Sequence, residues 1–200
     1  MTKEEIDGNQ VFVIHDFLSS EECIQLIQRS ENLVYEPATV ADTIINSVRN
    51  NDRVLLDDPS LAESSFLRAK PFLPYTINSH LLVGFNERLR FYRYSSDQTF
   101  KPHRDGAYYR FKTREQSYLT FMVYLNDQVI SGETRFFVNL QQAFWENPYL
   151  SVQPKEGMAL VFIHNIWHEG AVLESGQKYL IRTDVMYGRF PKKNLKKSSL

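Results

Sequence analysis

Two histidines and one aspartate are the side chains in this sequence with the clearest chemical potential. The segment FKPHRDGAYYR contains His103 and Asp105, and GMALVFIHNIWHEGA supplies His168 much later in the chain. In an extended segment, residues two apart point the same way, so His103 and Asp105 can reach one ion. Two histidines and one carboxylate on one octahedral face leave three coordination positions open, which suits oxygen chemistry at non-haem Fe(II). We therefore predict a metal site at His103, Asp105 and His168.

Other interpretations of these residues stay open. Zinc sites use the same three ligand types, so the ligands alone do not identify the metal. His103 and Asp105 could instead be loop residues joined by a hydrogen bond. His164 lies four residues before His168, a spacing that makes a zinc pair on a helix, but the segment has the pattern of strand and turn and lacks the glutamate of HExxH. The remaining histidines belong to no such pattern, and we expect them to be structural or surface residues.

A cation follows His168 by ten residues. Lys178 is suited to bind a dicarboxylate such as 2-oxoglutarate. If that molecule chelates iron through its C1 carboxylate and keto oxygen, its C5 carboxylate projects into the fold and needs a charge partner and hydrogen-bond donors. We predict Lys178 as the partner, with the hydroxyls of Tyr124 and Thr120 contributing from a neighbouring strand.

Arg182 lies four residues beyond Lys178, hence on the same face of the strand. It could assist Lys178 with the cosubstrate or face the substrate. The structural alternative is an ion pair with Asp184 or Glu133. For Lys178 the alternative is a surface lysine at the start of a strand.

The elements that would carry these residues are two helices followed by many short strands. Ser19 and Glu22 have capping-box spacing before a helix over 20–33, and Asp58 precedes a proline at the start of a second helix over 59–70. We expect a loop or lid over 139–153. The sequence patterns predict strands at 11–17, 87–94, 118–126, 132–138, 157–163 and 178–188. This order predicts a mainly β fold, a small sandwich or jelly-roll barrel buttressed by N-terminal helices.

Bulk properties are those of one globular domain. The length of the chain fits a single domain over 1–200. The net charge of −1 gives no basic field that would recruit nucleic acid, and the only cysteine rules out an internal disulfide. No apolar run is long enough to span a bilayer, and the first residues lack the pattern of a signal peptide. We expect a soluble, cytoplasmic protein whose basic tail, 191–200, is a solvated end.

From about residue 82 to 188 the chain resembles the prolyl 4-hydroxylase-like branch of the 2-oxoglutarate/Fe(II)-dependent dioxygenases. The segment DFLSSEEC is also similar to the helix that precedes this core in many members. The motifs that carry the resemblance, in family order, are Tyr94, His103 with Asp105, Tyr124-Leu125-Asn126, Gly132-Glu133-Thr134-Arg135-Phe136, His168-Glu169-Gly170 and Lys178. Departures are Ser131-Gly132 where Gly-Gly is usual, and Arg182 where hydroxylases of prolyl peptides commonly have a smaller residue.

The resemblance implies a double-stranded β-helix (jelly-roll, cupin-like) core over about 81–190, with helical support over about 1–80. It implies that Fe(II) is the metal, that Tyr94 and Tyr124 contact 2-oxoglutarate, and that Lys178 binds its C5 carboxylate. Ascorbate is a further candidate cofactor. The implied reaction hydroxylates an unactivated C–H bond and yields succinate and CO2.

The substrate is the open part of this interpretation. A prolyl or other peptide side chain, or a free amino acid, is the first hypothesis, with O2 as co-reactant. The alternatives are a small metabolite or a nucleic acid, the latter disfavoured by the charge, or a jelly-roll module that binds metal without catalysis. Candidate substrate-facing residues lie next to the metal ligands in sequence: Arg104, Tyr108, Tyr109, Arg110 and Trp167.

Overall fold

The computed structural model describes residues 1–39, 43–145 and 147–189. Its helices are α1 (Ser20–Glu31), α2 (Pro59–Ala69) and α3 (Leu140–Trp145), and a 3-10 turn (Lys70–Phe72) follows α2. Its strands are β1 (Thr2–Asp7), β2 (Val11–His15), β3 (Glu36–Pro37), β4 (Asp52–Asp57), β5 (Thr76–Ile77), β6 (His80–Phe85), β7 (Arg88–Tyr94), β8 (Phe100–His103), β9 (Tyr109–Arg110), β10 (Glu115–Tyr124), β11 (Ile130–Ser131), β12 (Thr134–Phe137), β13 (Leu150–Val152), β14 (Ala159–Ile163), β15 (Trp167–Gly170), β16 (Leu173–Ser175) and β17 (Lys178–Arg189).

The strands form a large sheet and a small one. The large sheet has the order β1-β2-β14-β10-β17-β7-β4-β3, with β6 added beside the end of β17, β5 beside β6, and β9 beside β10. The small sheet has the order β13-β12-β15-β8, and β11 pairs with β16. Neighbouring strands run antiparallel in both sheets. The predicted mainly β fold with N-terminal helices is therefore confirmed.

Both N-terminal helices begin at their predicted caps. The Ser19 hydroxyl accepts a hydrogen bond from the backbone N–H of Glu22, while the Glu22 carboxylate accepts one from the backbone N–H of Ser19. At α2, the Asp58 carboxylate accepts from the N–H of Leu61 at 2.9 Å. These contacts satisfy backbone donors that have no partner inside the helix, which fixes where each helix starts.

The central strand β10 separates two hydrophobic clusters. Leu119 and Phe121 face the cluster that includes residues of α1 and α2. Met122 and Tyr124 face the opposite cluster, which includes residues of the small sheet. Alternation along a strand places successive side chains on opposite faces, so a continuous apolar run indicates a strand covered on both sides. The helices thus support one face of the large sheet and leave the space between the two sheets for a site.

Two regional predictions need correction. Residues 1–80 are more than helical support, because β2 pairs with β14 and β4 pairs with β7 inside the large sheet. The stretch 139–153, expected to be a loop or lid, contains α3 and β13. The basic tail 191–200 lies outside the described residues, and the single-domain assignment stays a prediction. Within 1–39, 43–145 and 147–189, no helix reaches the length and hydropathy needed to cross a membrane.

Candidate metal and cosubstrate site

The three predicted metal ligands meet in the small sheet. His103 ends β8 and His168 lies on β15, and the antiparallel register sets the two residues directly opposite each other. Their ring centroids are 4.2 Å apart. The Asp105 carboxylate approaches the two Nε2 atoms at 3.8 Å for His103 and 3.7 Å for His168. One ligand atom from each residue can be chosen so that all three lie within 4.8 Å of one another, close enough for one ion.

Both imidazoles are oriented for metal binding. Nδ1 of His103 lies 2.8 Å from the carbonyl of Lys101, and Nδ1 of His168 lies 3.1 Å from the carbonyl of Ile166. A carbonyl oxygen only accepts, so each Nδ1 carries the proton and each Nε2 keeps a free lone pair. Burial lowers the pKa of His103 well below its usual range and also lowers the pKa of His168. Both rings are therefore neutral near pH 7, the form that binds a metal.

Asp105 is held as a carboxylate by its neighbours. Burial acts to raise its pKa, but the charge of Arg182, together with the hydrogen bond from Thr120, outweighs burial and lowers the pKa below its usual range. Arg182 Nη2 lies 2.9 Å from the Asp105 carboxylate and 3.4 Å from that of Asp184. Thr120 donates a short hydrogen bond to Asp105. The ion pair with Asp184, considered above as the structural alternative for Arg182, is present alongside the contact with Asp105.

Lys178 stands in the same cavity as the metal ligands. The cavity has a volume of about 220 Å³, and its wall includes all three ligands, Tyr94 and Lys178. The Lys178 side chain is buried, with Nζ 2.5 Å from the carbonyl of Gly132 and 4.4 Å from the centre of the Tyr94 ring. Burial lowers its pKa to about 8, and no carboxylate of the described residues lies within 4.0 Å of Nζ. A buried cation without a counter-ion is costly, so this end of the cavity favours an anionic ligand.

Two predicted cosubstrate contacts lie behind the cavity wall. The Tyr124 hydroxyl is buried and forms a hydrogen bond of 2.7 Å with the hydroxyl of Thr134, which itself lines the cavity. Thr120 is directed to Asp105 and to the ring of His164. The direct cosubstrate contacts predicted for Tyr124 and Thr120 are therefore not supported by the cavity wall, whereas Thr134 is a wall residue for which no contact was predicted.

The predicted substrate-facing residues divide into two groups. Arg104 lines the cavity, donates to the side chain of Asn165 at 3.0 Å and lies 4.6 Å from the centre of the Trp167 ring. Arg110 forms ion pairs with Glu87 and Glu115. The residues that were predicted to face the substrate but are not part of the cavity wall are Tyr108, Tyr109, Arg110 and Trp167.

Arg49 is a wall residue that the sequence analysis missed. It is only 5% exposed and lines the cavity beside Tyr92 and Phe100. The segment around it carries no motif, and a β-bridge between Arg49 and Phe100 brings it to the site from far away in the chain. Its single available signal was an arginine followed by two asparagines inside a stretch without a regular pattern.

The region that contains the predicted metal ligands and Lys178 is similar to known proteins. Residues 89–183 match the family model described as the 2OG-Fe(II) oxygenase superfamily. The matched stretch holds the three predicted metal ligands and Lys178. The resemblance to the 2-oxoglutarate/Fe(II) oxygenases is confirmed. The predicted pair of Fe(II) and 2-oxoglutarate is the pair for which this oxygenase superfamily is named.

Several individual proteins are similar to this chain in sequence or in structure. Probable prolyl 4-hydroxylase 3 of Arabidopsis thaliana is 30% identical over 174 residues, which is 76% of this chain and 58% of the relative. The viral collagen prolyl hydroxylase of Paramecium Bursaria Chlorella virus-1, solved with 2-oxoglutarate, has a TM-score of 0.60 at 18% identity, over 91% of this chain and 98% of that one. A Trichoplax adhaerens prolyl hydroxylase has a TM-score of 0.67 at 16% identity, over 92% and 86%. The predicted double-stranded β-helix core is thereby confirmed as a fold.

The match to the curated relatives is partial in length. This chain spans about half of each, 58% of one Arabidopsis prolyl 4-hydroxylase and 46% of another.

Proposed function

We propose that this protein is an Fe(II)- and 2-oxoglutarate-dependent dioxygenase that hydroxylates an unactivated C–H bond of a peptide side chain or a free amino acid. The observation that carries the proposal is the pairing of two features in one cavity. His103, Asp105 and His168 converge at one part of its wall, and a buried Lys178 without a counter-ion stands at another. A ligand that joins the metal to Lys178 needs a donor group for the metal and a separate anionic group for the lysine.

The residues fit Fe(II). Two neutral imidazoles and one carboxylate form the donor set that leaves coordination positions open for small molecules, and the hydrogen bonds from both Nδ1 atoms fix the rings for binding through Nε2. When bound, Fe(II) with 2-oxoglutarate supplies O2 activation, with succinate and CO2 as coproducts and a hydroxyl group delivered to carbon.

The chain's own residues prepare the site for that chemistry. Lys178 attracts and orients the C5 carboxylate, and the carbonyl of Gly132 holds Nζ in position. Arg182 and Thr120 keep Asp105 ionised and fix its rotamer. Apolar wall residues exclude water, which strengthens every charge interaction inside the cavity. This apolar part of the wall consists of Phe100, Met122, Phe162 and Leu180.

The names of similar proteins support a prolyl or peptide substrate. Two curated relatives are named prolyl 4-hydroxylases. The Trichoplax prolyl hydroxylase was solved with a peptide fragment of the hypoxia inducible factor oxygen degradation domain. A substrate of this class, with O2 as co-reactant, is our first candidate here. HygX of Streptomyces hygroscopicus, also similar in structure, was solved with nickel and 2-oxoglutarate, so cosubstrate binding is not limited to neighbours named prolyl hydroxylases.

The decisive experiment separates metal binding from cosubstrate binding. Purified protein with Fe(II) and ascorbate should release succinate from 2-oxoglutarate. In a screen of proline-rich peptides and free amino acids, a substrate should raise the rate of succinate release.

Lys178→Met should weaken 2-oxoglutarate binding by roughly 30-fold or more, because breaking a buried ion pair costs about 2 kcal/mol or more. The metal affinity of this variant should stay unchanged. Absence of any 2-oxoglutarate binding by the wild-type protein would refute the proposal. Unchanged binding in Lys178→Met would transfer the role to another cation.

A further inference from the structure

Arg49 is fixed rigidly next to the metal site. The carbonyl of Val48 accepts from the N–H of Lys101 at 2.9 Å, and the Asn50 side chain accepts from the N–H of Thr99 at 2.7 Å. These bonds join the segment to β8. The guanidinium lies 4.2 Å from the centre of the Phe100 ring, which stacks on the His103 ring at 3.5 Å. One aromatic ring therefore separates the Arg49 charge from a metal ligand.

The Arg49 charge is not balanced by the protein. Nε donates to the neutral side chain of Asn51 at 2.8 Å, and Nη2 is buried without a hydrogen-bond partner. No carboxylate of the described residues lies within 4.0 Å of the guanidinium, whereas Arg182 in the same wall has Asp105 and Asp184. Contacts with the rings of Phe100 and Tyr92 stabilise a cation by about 0.5–2 kcal/mol, less than the cost of leaving a charge buried and unpaired.

Tyr92 lies beside positively charged side chains. Burial acts to raise the pKa of Tyr92, yet the charges of Arg49, Arg182 and Arg90 lower it below its usual value. A phenol in the interior ionises more easily only when cations dominate its environment. An anion entering this part of the cavity would gain energy from the same field.

We propose that Arg49 is the substrate's anchor and that it binds a carboxylate close to the carbon that is hydroxylated. The inference rests on the proposed function, in which Lys178 is used by 2-oxoglutarate. A carboxylate suits the orphaned Nη2 better than an amide or a peptide carbonyl, because only an anion compensates the buried charge. A cavity of about 220 Å³ that also holds the cosubstrate leaves room for a small group. The substrate class is therefore a free amino acid or the C-terminal residue of a peptide.

The test uses full-length protein loaded with 2-oxoglutarate and with Mn(II) in place of Fe(II), so that binding is measured without turnover. The probes are acetate, L-proline and acetyl-glycyl-proline as carboxylates, and acetamide, L-prolinamide and acetyl-glycyl-prolinamide as the matched amides. The readouts are calorimetry and the shift in thermal unfolding. Wild-type protein should bind L-proline or acetyl-glycyl-proline roughly tenfold or more tightly than the matched amide, as expected for a hydrogen bond to a charged group.

Three variants isolate the role of Arg49. Arg49→Gln should abolish the preference for carboxylates while changing 2-oxoglutarate affinity less than threefold, and Arg49→Lys should restore part of the preference because it keeps the charge. Arg88→Gln, which removes an exposed arginine paired with Asp57, should behave like wild type. Tighter binding of L-proline assigns the subsite to free amino acids, and tighter binding of acetyl-glycyl-proline assigns it to peptide ends.

Other results would overturn the inference. These are equal binding of carboxylates and amides, retention of the preference in Arg49→Gln, or no response of 2-oxoglutarate-loaded protein to any carboxylate probe. A loss of 2-oxoglutarate affinity in Arg49→Gln as large as that in Lys178→Met would assign Arg49 to the cosubstrate instead. Failure of wild-type protein to bind 2-oxoglutarate at all is a different result, which refutes the proposed function itself.

Discussion

At the scale of single residues, Asp105 does more than offer a metal ligand, because it is also the counter-ion of the buried Arg182. Asp105→Ala should therefore lower the affinity for Mn(II) or Fe(II) at least roughly 100-fold and destabilise the metal-free fold by about 3 kcal/mol, since Arg182 and Thr120 lose a partner. Metal titration and urea unfolding in EDTA measure the two effects separately.

Asp105→Asn is the matched control for that change. It keeps the shape and a hydrogen-bond acceptor for Thr120 but loses the charge, so metal affinity should fall while the loss of stability is smaller than in Asp105→Ala. If Asp105→Ala still bound iron in a one-to-one ratio, the metal site would be misassigned.

Sequence reasoning at this scale reaches the residues whose placement depends on local geometry. The spacing of His103 and Asp105 needs only an extended segment, and Lys178 begins β17, only ten residues after His168 in the chain. Arg49 could not be found this way, because its place in the cavity depends on a bridge to Phe100 that no periodicity reveals. Arg182 was recognised as a candidate, but its partner Asp105 belongs to a separate part of the chain.

At the scale of elements, the turn between β11 and β12 holds the lysine in place. Gly132 has φ of +80°, and a Cβ there would lie 2.8 Å from a methyl group of Leu173 and 3.4 Å from Lys178 Nζ. Gly132→Ala should cost about 1–2 kcal/mol of stability from backbone strain and crowding. Because the same turn supplies the carbonyl that binds Nζ, 2-oxoglutarate affinity should fall while metal affinity is unchanged.

Gly84→Ala in β6 is the control for the turn, since a Cβ there meets nothing within 4 Å. Its stability should stay within about 1 kcal/mol of wild type, with normal 2-oxoglutarate binding. Calorimetric titration of 2-oxoglutarate into both variants loaded with Mn(II) gives the comparison. Equal affinities in the two variants would contradict a positioning role for the turn.

Elements with strong end signals were predictable, and those at sheet edges were not. Capping residues gave the starts of α1 and α2 because the caps act within one turn of the chain. β1, with the sequence TKEEID, and β4, with DRVLLD, are rich in charged residues and carry little apolar alternation. Such strands form because a neighbouring strand offers hydrogen bonds, so the pairing decides them and the local sequence does not.

At the scale of the whole molecule, the large sheet divides the protein into a supporting side and a reacting side. Helices α1 and α2 pack on one face, and the cavity opens between the other face and the small sheet. Several charged side chains are buried around the cavity on the reacting side. Asp105 and Asp184 are neutralised by Arg182 and Arg90. Among the described residues, the two remaining buried cations, Lys178 and Arg49, are matched to ligands by the proposals above.

The stability of the metal-free protein should fall at mildly acidic pH because it buries neutral histidines. His164 hydrogen bonds with Ser117 and Thr120, and burial lowers its pKa to about 4. The unfolded chain has a histidine pKa of about 6.5, so below that pH it takes up a proton that the folded state refuses. Stability is therefore fully present above pH 6.5 and is lost as the pH falls towards 4. From pH 7.5 to pH 5.0 the contribution of His164 is about 2 kcal/mol.

His164→Gln isolates that contribution. The amide can keep a hydrogen bond with Ser117 but does not titrate, so the decrease in unfolding free energy between pH 7.5 and pH 5.0 should be smaller than in wild type by about 2 kcal/mol. His103 and His168 titrate in both proteins and cancel in this comparison, as do the carboxylates. Urea unfolding in EDTA at the two pH values measures the difference. The same pH dependence in variant and wild type would mean that His164 is protonated in the folded protein. The hydrogen bonds assigned from His164 to Thr120, and from Thr120 to Asp105, would then be wrong.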